Sequence, residues 1–207
     1  MEVIRRYSPV VFNKKAALTE IRDGWEVVLG YEHEGEGPYL IDLSHVTKFD
    51  IQNTDLSNIK PGGQNIPASP GMCAIKDGWV INRLNRTQAA IWFLDGKPAP
   101  IPAQGDYTDI TEAFVLLAFA GSDVFGIMEK ITSLDLAPRD KQPPFVLQGP
   151  VLHIPCQIVV LAKNILLLAF SRGYAQSMID TILQAGSSRN LQPAGERVFN
   201  GFMENRA

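Results

Sequence analysis

The sequence contains few of the residues that metal sites and disulfides need. It has two cysteines, Cys73 and Cys156, and three scattered histidines, His33, His45 and His153. No H-x-x-x-H pattern occurs, and no cysteine stands at a metal-ligand spacing from a histidine or from the other cysteine. The sequence therefore predicts free thiols and no metal site.

Runs of one charge and long apolar segments are also missing. The net charge is -3, without a Lys/Arg cluster, which disfavours binding to nucleic acids and to anionic membrane surfaces. The most apolar stretch, Ile158 to Phe170, is interrupted by Lys163 and Asn164 and is too short to span a bilayer. Met1 to Lys15 lacks the apolar region of a signal peptide. We expect a cytoplasmic protein that binds neither nucleic acid nor membrane.

Several catalytic and cofactor-binding signatures are absent as well. The glycine-rich Pro61 to Asn65 lacks the spacing and the following helix of a phosphate loop. No G-x-S-x-G elbow and no G-x-G-x-x-G fingerprint occurs. These absences exclude the common nucleotide-binding loops and the hydrolase elbow.

What the chain does have is enough apolar sequence for a substantial core. Its 207 residues are 45% hydrophobic, which suits one large domain or two small lobes. The proline-rich Gly96 to Gly105 is typical of a linker. We therefore predict an N-terminal lobe over 1–103 and a C-terminal lobe over 104–207.

Apolar periodicity predicts the elements of each lobe. The second lobe is the more legible, since the hairpin Lys163-Asn164 separates two apolar runs and Ser171 to Gln184 carries an apolar stripe at helical spacing. The order of elements predicts an α+β fold, with antiparallel sheet and helices on one face. The other predicted elements are a short extended piece and helix within Glu2 to Thr19, strands Trp25 to Leu29, Val46 to Ile51, Trp79 to Leu84, Ala89 to Leu94, Phe114 to Phe119, Val151 to Ile154, Gln157 to Ala162 and Ile165 to Phe170, a helix Val124 to Ile131, and a proline-rich loop Leu136 to Gln148.

Two similar short segments occur, one in each predicted lobe. Asp42-Leu43-Ser44 precedes the strand Val46 to Ile51, and Asp109-Ile110-Thr111 precedes the strand Phe114 to Phe119. The pair is either a weak internal repeat or a coincidence.

Three segments, together with their order along the chain, resemble the glycine-cleavage T-protein (aminomethyltransferase) superfamily. Asp109 to Leu136 is similar to a strand–turn–helix segment of that superfamily, and Asp42 to Val46 (DLSHV) looks like its D-[VL]-S-H turn. Ser171 to Gly186 looks like the R-S-[FY]-A-x-S-L helix of sarcosine oxidase gamma subunits. The shared positions are Asp109, Ile110, Thr111, Gly121, Asp123, Asp135, Leu136, Arg172, Tyr174, Ala175 and Ser177.

The resemblance implies a folate-binding-domain fold without the C-terminal barrel of full T-proteins. It also implies tetrahydrofolate as a candidate cofactor, partner subunits or self-association, and a cleft to which His45, Arg83 and Trp92 are the candidate contributors. The family carries an acidic pair at a strand lead where this chain has Pro155, Cys156 and Gln157. No catalytic residue is therefore assigned.

Two functions follow as expectations. The first is a subunit or accessory protein of folate-linked one-carbon and amine metabolism, resembling sarcosine oxidase gamma subunits and not catalytic by itself. The second is a tetrahydrofolate-binding protein or a diverged aminomethyltransferase. A scaffold for an unknown ligand stays open beside them, because fold resemblance does not establish function.

Overall fold

The structure, a computed structural model, describes residues 5–97, 99 and 107–206. Thirteen strands and three α-helices lie within these residues. The strands are β1 Ala16–Arg22, β2 Trp25–Tyr31, β3 Tyr39–Asp42, β4 Thr47–Gln52, β5 Cys73–Lys76, β6 Trp79–Arg83, β7 Gln88–Phe93, β8 Tyr107–Asp109, β9 Phe114–Ala120, β10 Phe145–Val151, β11 Ile154–Ala162, β12 Ile165–Ser171 and β13 Gln192–Ala194. The helices are α1 Val124–Met128, α2 Ala175–Gly186 and α3 Glu196–Glu204.

The strands form two large sheets and a hairpin. The six-stranded sheet has the order β10-β11-β12-β9-β3-β13, and the five-stranded sheet has the order β5-β6-β7-β4-β8. Strands β1 and β2 form a separate two-stranded hairpin. All pairs are antiparallel except β13 with β3. The predicted α+β class is confirmed, and the described strands form no closed barrel.

The layers follow from the burial of alternate strand residues. One face of the six-stranded sheet packs under α1 and α2, with Leu168 and Ile182 in the same cluster. Its other face packs on the five-stranded sheet, where Leu167 and Trp92 share a core with Phe199 of α3. Because β12 is covered on both faces, its apolar run is continuous rather than alternating.

The two large sheets exchange short strands. Strand β3 leaves the sheet of its neighbour β4 and pairs with β9, so that Asp42 lies opposite Leu117. Conversely, β8 pairs with β4, and Asp109 lies opposite Phe49. Strand β3 thus precedes β4 in the chain but belongs to the six-stranded sheet, and β8 precedes β9 but belongs to the five-stranded sheet.

The two D-x-[ST] segments make matching turns at this exchange. Asp42 Oδ1 accepts the Ser44 N–H at 2.9 Å, and Asp109 Oδ1 accepts the Thr111 N–H at 2.8 Å. The Thr111 hydroxyl accepts the Lys48 N–H, and the Ser44 hydroxyl accepts the backbone N–H of Leu116. These reciprocal contacts favour the internal-repeat interpretation over coincidence.

The second half of the chain agrees best with the predicted elements. Strands β11 and β12 pair as a hairpin around Lys163-Asn164, with Ala162 opposite Ile165. Helix α2 buries Ala175, Met178, Ile179 and Ile182, the predicted stripe. The hairpin and the helix face are therefore confirmed.

Four predicted boundaries or elements are corrected. The described part of Glu2 to Thr19 contains no helix, because β1 begins at Ala16 and pairs with β2. The predicted loop Leu136 to Gln148 contains the start of β10 at Phe145. The strand predicted from Val151 to Ile154 is not a separate element, because β10 ends at Val151 and β11 begins at Ile154. Helix α1 ends at Met128. Strands β3, β5, β8, β10 and β13 and helix α3 were not predicted as such.

The predicted lobe boundary at 103/104 lies outside the described residues and stays a prediction. Among the residues that the structure describes, no helix is long and apolar enough to cross a membrane.

Candidate functional site

His45 lies in the turn that links β3 to β4. Asp42 closes this turn, and the imidazole that follows it has only 7% of its side-chain surface exposed. His45 Nε2 lies 3.0 Å from Glu196 Oε1, at the start of α3. The histidine is therefore held at the junction of the two sheets and the C-terminal helix.

Glu196 joins this histidine to the N-terminal hairpin. Its side chain is 4% exposed, and Arg22 of β1 donates to Oε2 at 2.6 Å. Arg22 also contacts Glu20 through Nε and Nη2. Burial alone would raise the pKa of Glu196, but the hydrogen bonds and positive charges of His45 and Arg22 hold it below its usual value. Glu196 is thus an ionised carboxylate with two partners.

Lys48 lies directly beneath the loop that carries His45. It is fully buried, and its ammonium donates to the carbonyl oxygens of Ser44 and Val46 at 2.8 and 2.7 Å. Burial lowers the pKa of Lys48 to about 7, against the opposing effect of the carboxylates of Asp42 and Asp109. The lysine holds the loop in shape and does not reach solvent.

A cavity of about 320 Å³, called cavity A below, opens beside His45. It lies between the hairpin, the β3–β4 turn and the loop after β7. Gly96 in that loop has φ +68°, and a Cβ there would stand 2.8 Å from Arg22 Nη1, so the loop approaches Arg22 closely. The lining residues are Arg6, Arg22, Asp23, His45, Val46, Thr47, Phe49, Phe93, Gly96, Lys97, Ala99, Asp109 and Thr111.

The structure does not bring the three candidate cleft residues to this one cavity. Trp92 is 1% exposed and packs in the core between the two large sheets. Arg83, at the end of β6, donates to the backbone oxygen of Arg86 within its own turn. Of the three residues, His45 is the one that lines cavity A. A folate cleft that includes Arg83 and Trp92 stays a prediction.

Pro155, Cys156 and Gln157 stand where the family resemblance expects an acidic pair, and of these only Gln157 has a polar side chain directed between the two large sheets. Gln157 lies two residues from Val159, which packs between the sheets, so both side chains share that face. Gln157 Oε1 is buried and has no hydrogen-bond partner among the described residues. Cys156 packs on the helix side, and its Sγ donates to the Ile154 carbonyl at 3.1 Å.

Asn82 on β6 adds a second polar group to the same layer. It lies two residues from Val80, also between the sheets, and is fully buried. No described residue bonds its amide nitrogen or oxygen. Buried polar groups are nearly always bonded, so these atoms mark a place where a ligand could bind.

Both cysteines are free and buried, as predicted. Burial raises the pKa of Cys73 to about 12 and that of Cys156 to about 11. Each thiol therefore stays protonated at neutral pH and is a poor nucleophile. No cluster of His, Cys, Asp and Glu among the described residues is arranged to hold a metal ion.

Sequence reasoning missed Arg22 and Glu196. Arg22 carries no local signal, since its role depends on a partner 174 positions away. Glu196 could have been found, because Gly195 precedes it and Val198, Phe199, Phe202 and Met203 recur at helical spacing. Such an amphipathic helix places Glu196 in its first turn, where its carboxylate can reach neighbouring elements.

Comparison with solved structures shows that this chain has a T-protein-like α+β fold. Its elements are the two large sheets, their exchanged strands and the helix layer. No protein-family model matches the sequence, and a search of curated proteins finds no match. The likeness is therefore one of fold.

Two solved structures illustrate the likeness. The first is a chain of heterotetrameric sarcosine oxidase from Corynebacterium sp. U-96 in complex with pyrrole 2-carboxylate, with 14% identity and a TM-score of 0.60 over 72% of this chain and 83% of that chain. The second is glycine cleavage system aminomethyltransferase T from Bartonella henselae, with 14% identity and a TM-score of 0.56 over 86% of this chain and 56% of that chain.

Proposed function

We propose that this protein is a subunit or accessory protein in folate-linked one-carbon and amine metabolism, resembling the gamma subunit of sarcosine oxidase, and that it docks on a partner through one apolar strip. The fold likeness to a chain of a heterotetrameric sarcosine oxidase supports the proposal. The observation that carries it is the set of exposed apolar side chains called the apolar strip below, because large exposed apolar patches mark interaction sites.

The apolar strip consists of Tyr7, Val11, Ile21 and Tyr174. Their exposures are 61%, 65%, 64% and 47%, and they make up most of the large exposed hydrophobic residues among those described. Tyr7 and Ile21 line the same shallow cavity of about 460 Å³.

Hydrogen bonds connect the rest of the strip. Arg172 donates to the Tyr7 carbonyl at 2.8 Å, and Gln176 donates to the Val11 carbonyl at 3.3 Å. Tyr174 lies between these two donors in the chain. The N-terminal segment is thereby fixed to the two residues that flank Tyr174 at a distance of two positions.

The chemistry of the strand lead supports a role without catalysis by this chain alone. Pro155, Cys156 and Gln157 stand where the family resemblance expects carboxylates. A neutral amide and a protonated thiol do not stabilise a developing cation as a carboxylate does. The nearest ionised carboxylate to His45, Glu196, is already engaged by two partners.

The test replaces one residue of the strip and measures assembly. Ile21→Lys should abolish co-purification with an amine-oxidising partner from the native cell, whereas the control Met72→Lys, at an exposed residue outside the strip, should retain it. Light scattering on the purified chain separates partner binding from self-association. A chain that stays monomeric and partner-free, or variants that behave alike, would refute the proposal.

A second candidate function, tetrahydrofolate binding, is favoured by the unbonded amide groups between the sheets. Asn82 offers a donor and an acceptor, and Gln157 offers an acceptor. A pterin edge presents complementary groups, and such polar atoms in an apolar layer orient a ligand.

Calorimetric titration with 5-formyltetrahydrofolate tests this candidate. Binding should be lost in Gln157→Met, which keeps the volume and removes the amide, and kept in Gln184→Met, at an exposed position of α2 on the other side of the six-stranded sheet. No heat and no thermal shift at millimolar ligand would remove the folate proposal and leave the subunit proposal intact.

A further inference from the structure

Strand β1 is the open edge of the N-terminal hairpin. Strand β2 is covered on both sides, by β1 on one side and by Arg6, through a bridge to Trp25, on the other. Strand β1 pairs with β2 alone, and its residues 17–21 are exposed. Among the described residues, no backbone hydrogen bond joins β1 to an element other than β2. An unpaired strand edge of this kind is a template for a further strand.

The tight turn of the hairpin determines which backbone groups of β1 face outward. Asp23 and Gly24 have φ values of 47° and 81°, as a two-residue type I′ turn requires, so Arg22 at the end of β1 belongs to a hydrogen-bonded pair. Hydrogen-bonded and non-hydrogen-bonded pairs alternate along antiparallel strands. The N–H and C=O groups of Ile21 and Thr19 therefore point away from β2, toward the open side.

One face of this edge is apolar. Ile21 lies opposite Glu26 of β2 and, together with Tyr7, lines the shallow cavity of about 460 Å³. A side chain of an added strand directly opposite Ile21 would lie about 5 Å from it and cover part of this apolar surface. This face of the edge therefore suits an apolar side chain.

The other face of the edge is acidic. Glu20 and Arg22 share it and line a cavity of about 550 Å³ beside α3. The described lining contains five carboxylates and two cations, and both cations are already paired with carboxylates. Arg6 bonds Asp23 from outside this cavity, which still leaves the carboxylates in excess. Since Glu204 of α3 has no ion-pair partner among the described residues, this face suits a basic side chain.

A second copy of β1 fits this edge poorly. Pairing Thr19 with Ile21 across a two-fold axis would set Glu20 opposite its own counterpart, and like charges directly opposite are destabilising. An axis at Thr19 would engage Ala17, which has no partner in β2 because the register shifts there. An axis at Ile21 would overlap only the end of the strand and bring the turns of both hairpins together. The occupant that fits is therefore a strand of different sequence.

We propose that β1 is the acceptor edge for an extended segment of the partner whose side chains alternate between apolar and basic. This inference rests on the proposed function, since Ile21 belongs to the apolar strip, and it adds how the partner is held. The backbone of the segment bonds the outward groups of Thr19 and Ile21, and its basic side chains meet Glu20 and Glu204. Main-chain bonds give strand addition its affinity, and alternate side chains give it specificity.

Synthetic peptides test the chemistry of the occupant. Fluorescence anisotropy with the full chain measures the binding of labelled acetyl-Thr-Val-Lys-Val-Lys-Val-Thr-amide. It should bind about tenfold more tightly than the same peptide with glutamate in place of lysine, or with proline in place of the central valine. No binding of the lysine peptide, or equal binding of all three peptides, would overturn the proposal.

Variants of the full chain locate the binding at β1. Thr19→Pro removes an outward N–H and leaves the ladder to β2 intact, so it should weaken binding of the lysine peptide by about tenfold without a change in Tm. Thr19→Ala keeps the N–H and is the matched control, which should bind as the wild type does. Equal affinity of the two variants would overturn the assignment to this edge. The proline peptide makes the same comparison on the unmodified protein.

A charge variant tests the acidic face separately. Glu204→Gln should weaken binding of the lysine peptide by about threefold, because an exposed ion pair is lost. Glu129→Gln, at an exposed carboxylate that does not line the cavity, is the control and should leave the affinity unchanged. Equal affinities in both variants would contradict the basic character of the segment.

Co-purification from the native cell separates this inference from the proposed function. Thr19→Pro should lose the partner, as Ile21→Lys should, whereas Thr19→Ala should retain it. Loss in Ile21→Lys with retention in Thr19→Pro would overturn strand addition and leave docking through the apolar strip intact. Retention of the partner by both variants would contradict the proposed function itself.

Discussion

At the scale of single residues, the most unusual feature is a lysine with no carboxylate bonded to its ammonium. Lys48 satisfies its ammonium with the carbonyl oxygens of Ser44 and Val46, which flank His45. Taking a charge out of water is costly, and the cost appears as a lowered pKa. Lys48 should therefore contribute to the pH dependence of stability.

Lys48→Met should remove the contribution of this residue to the pH dependence. Burial lowers the pKa of Lys48 to about 7, and Arg172 acts in the same direction, whereas unfolding restores a pKa of about 10.4. Between these values the unfolded chain binds a proton at Lys48 that the folded chain does not, so the free energy of unfolding of the wild type should rise with pH relative to that of the variant, by up to about 1.4 kcal/mol per pH unit. The raised pKa values of Cys73 and Cys156 act in the opposite direction, equally in both proteins.

Urea unfolding at pH 7 to 10 measures the difference between wild type and variant. Lys76→Met, at an exposed lysine, is the control and should follow the wild type. Parallel curves for wild type and Lys48→Met would contradict the prediction.

Glu196→Ala should destabilise the protein by about 2–4 kcal/mol, because it leaves Arg22 and His45 without their shared, buried acceptor. Since the folded pKa of Glu196 is lowered, its contribution is present above the unfolded value of about 4.3 and is lost as pH falls through the folded value. Denaturant unfolding from pH 7 to 3 follows the loss. Glu129→Ala, at an exposed position, should change stability little.

The site could be predicted from the sequence only in part, for a reason visible at this scale. His45 stands in a turn with a recognisable local pattern, and Asp42 and Ser44 do form that turn. Glu196 lies 151 positions from His45 and 174 positions from Arg22 along the chain. Apolar periodicity reports local structure, so it cannot bring Arg22 and Glu196 together.

At the scale of elements, prediction succeeded where pattern and tertiary context agree. The hairpin β11–β12 has apolar runs around a two-residue turn, and α2 has an apolar stripe. It failed at β1, where Ala16 and Ala17 have high helix propensity but pairing with β2 overrides it. Strands β3 and β8 have four and three residues, too few for alternation to be detected.

Ile182→Asp tests the packing of α2. Ile182 is fully buried between the helix and the six-stranded sheet, so an unpaired carboxylate there should cost more than about 3 kcal/mol. Gln184→Asp, on the exposed face of the same helix, should cost less than about 1 kcal/mol. Denaturant unfolding of both variants makes the comparison. A small effect at Ile182 would mean that this face does not pack on the sheet.

At the scale of the whole molecule, the exchange of β3 and β8 ties the two halves of the chain together. Each large sheet contains a short strand from the other half, and the Lys48–Thr111 and Leu116–Ser44 hydrogen bonds join them. The predicted lobes at 1–103 and 104–207 are therefore not expected to be separately stable.

Fragments cut at the predicted boundary test this interlocking. Each fragment expressed alone should be unfolded by circular dichroism, because it lacks a strand and the backbone partners that strand provides. Co-expressed fragments should assemble into a 1:1 complex with a native-like spectrum. A fragment that unfolds cooperatively by itself would show that the lobe is autonomous.

The Glu196 contacts also carry a consequence for biosynthesis. The N-terminus of a nascent chain leaves the ribosome first, so Arg22 and His45 emerge long before Glu196, whose carboxylate bonds both. Until then the hairpin has no anchor at Glu196, and β3 lacks its neighbour β13. Nascent chains that stall before residue 190 should be bound by chaperones and cleaved by protease at the hairpin, whereas chains released beyond α3 should resist.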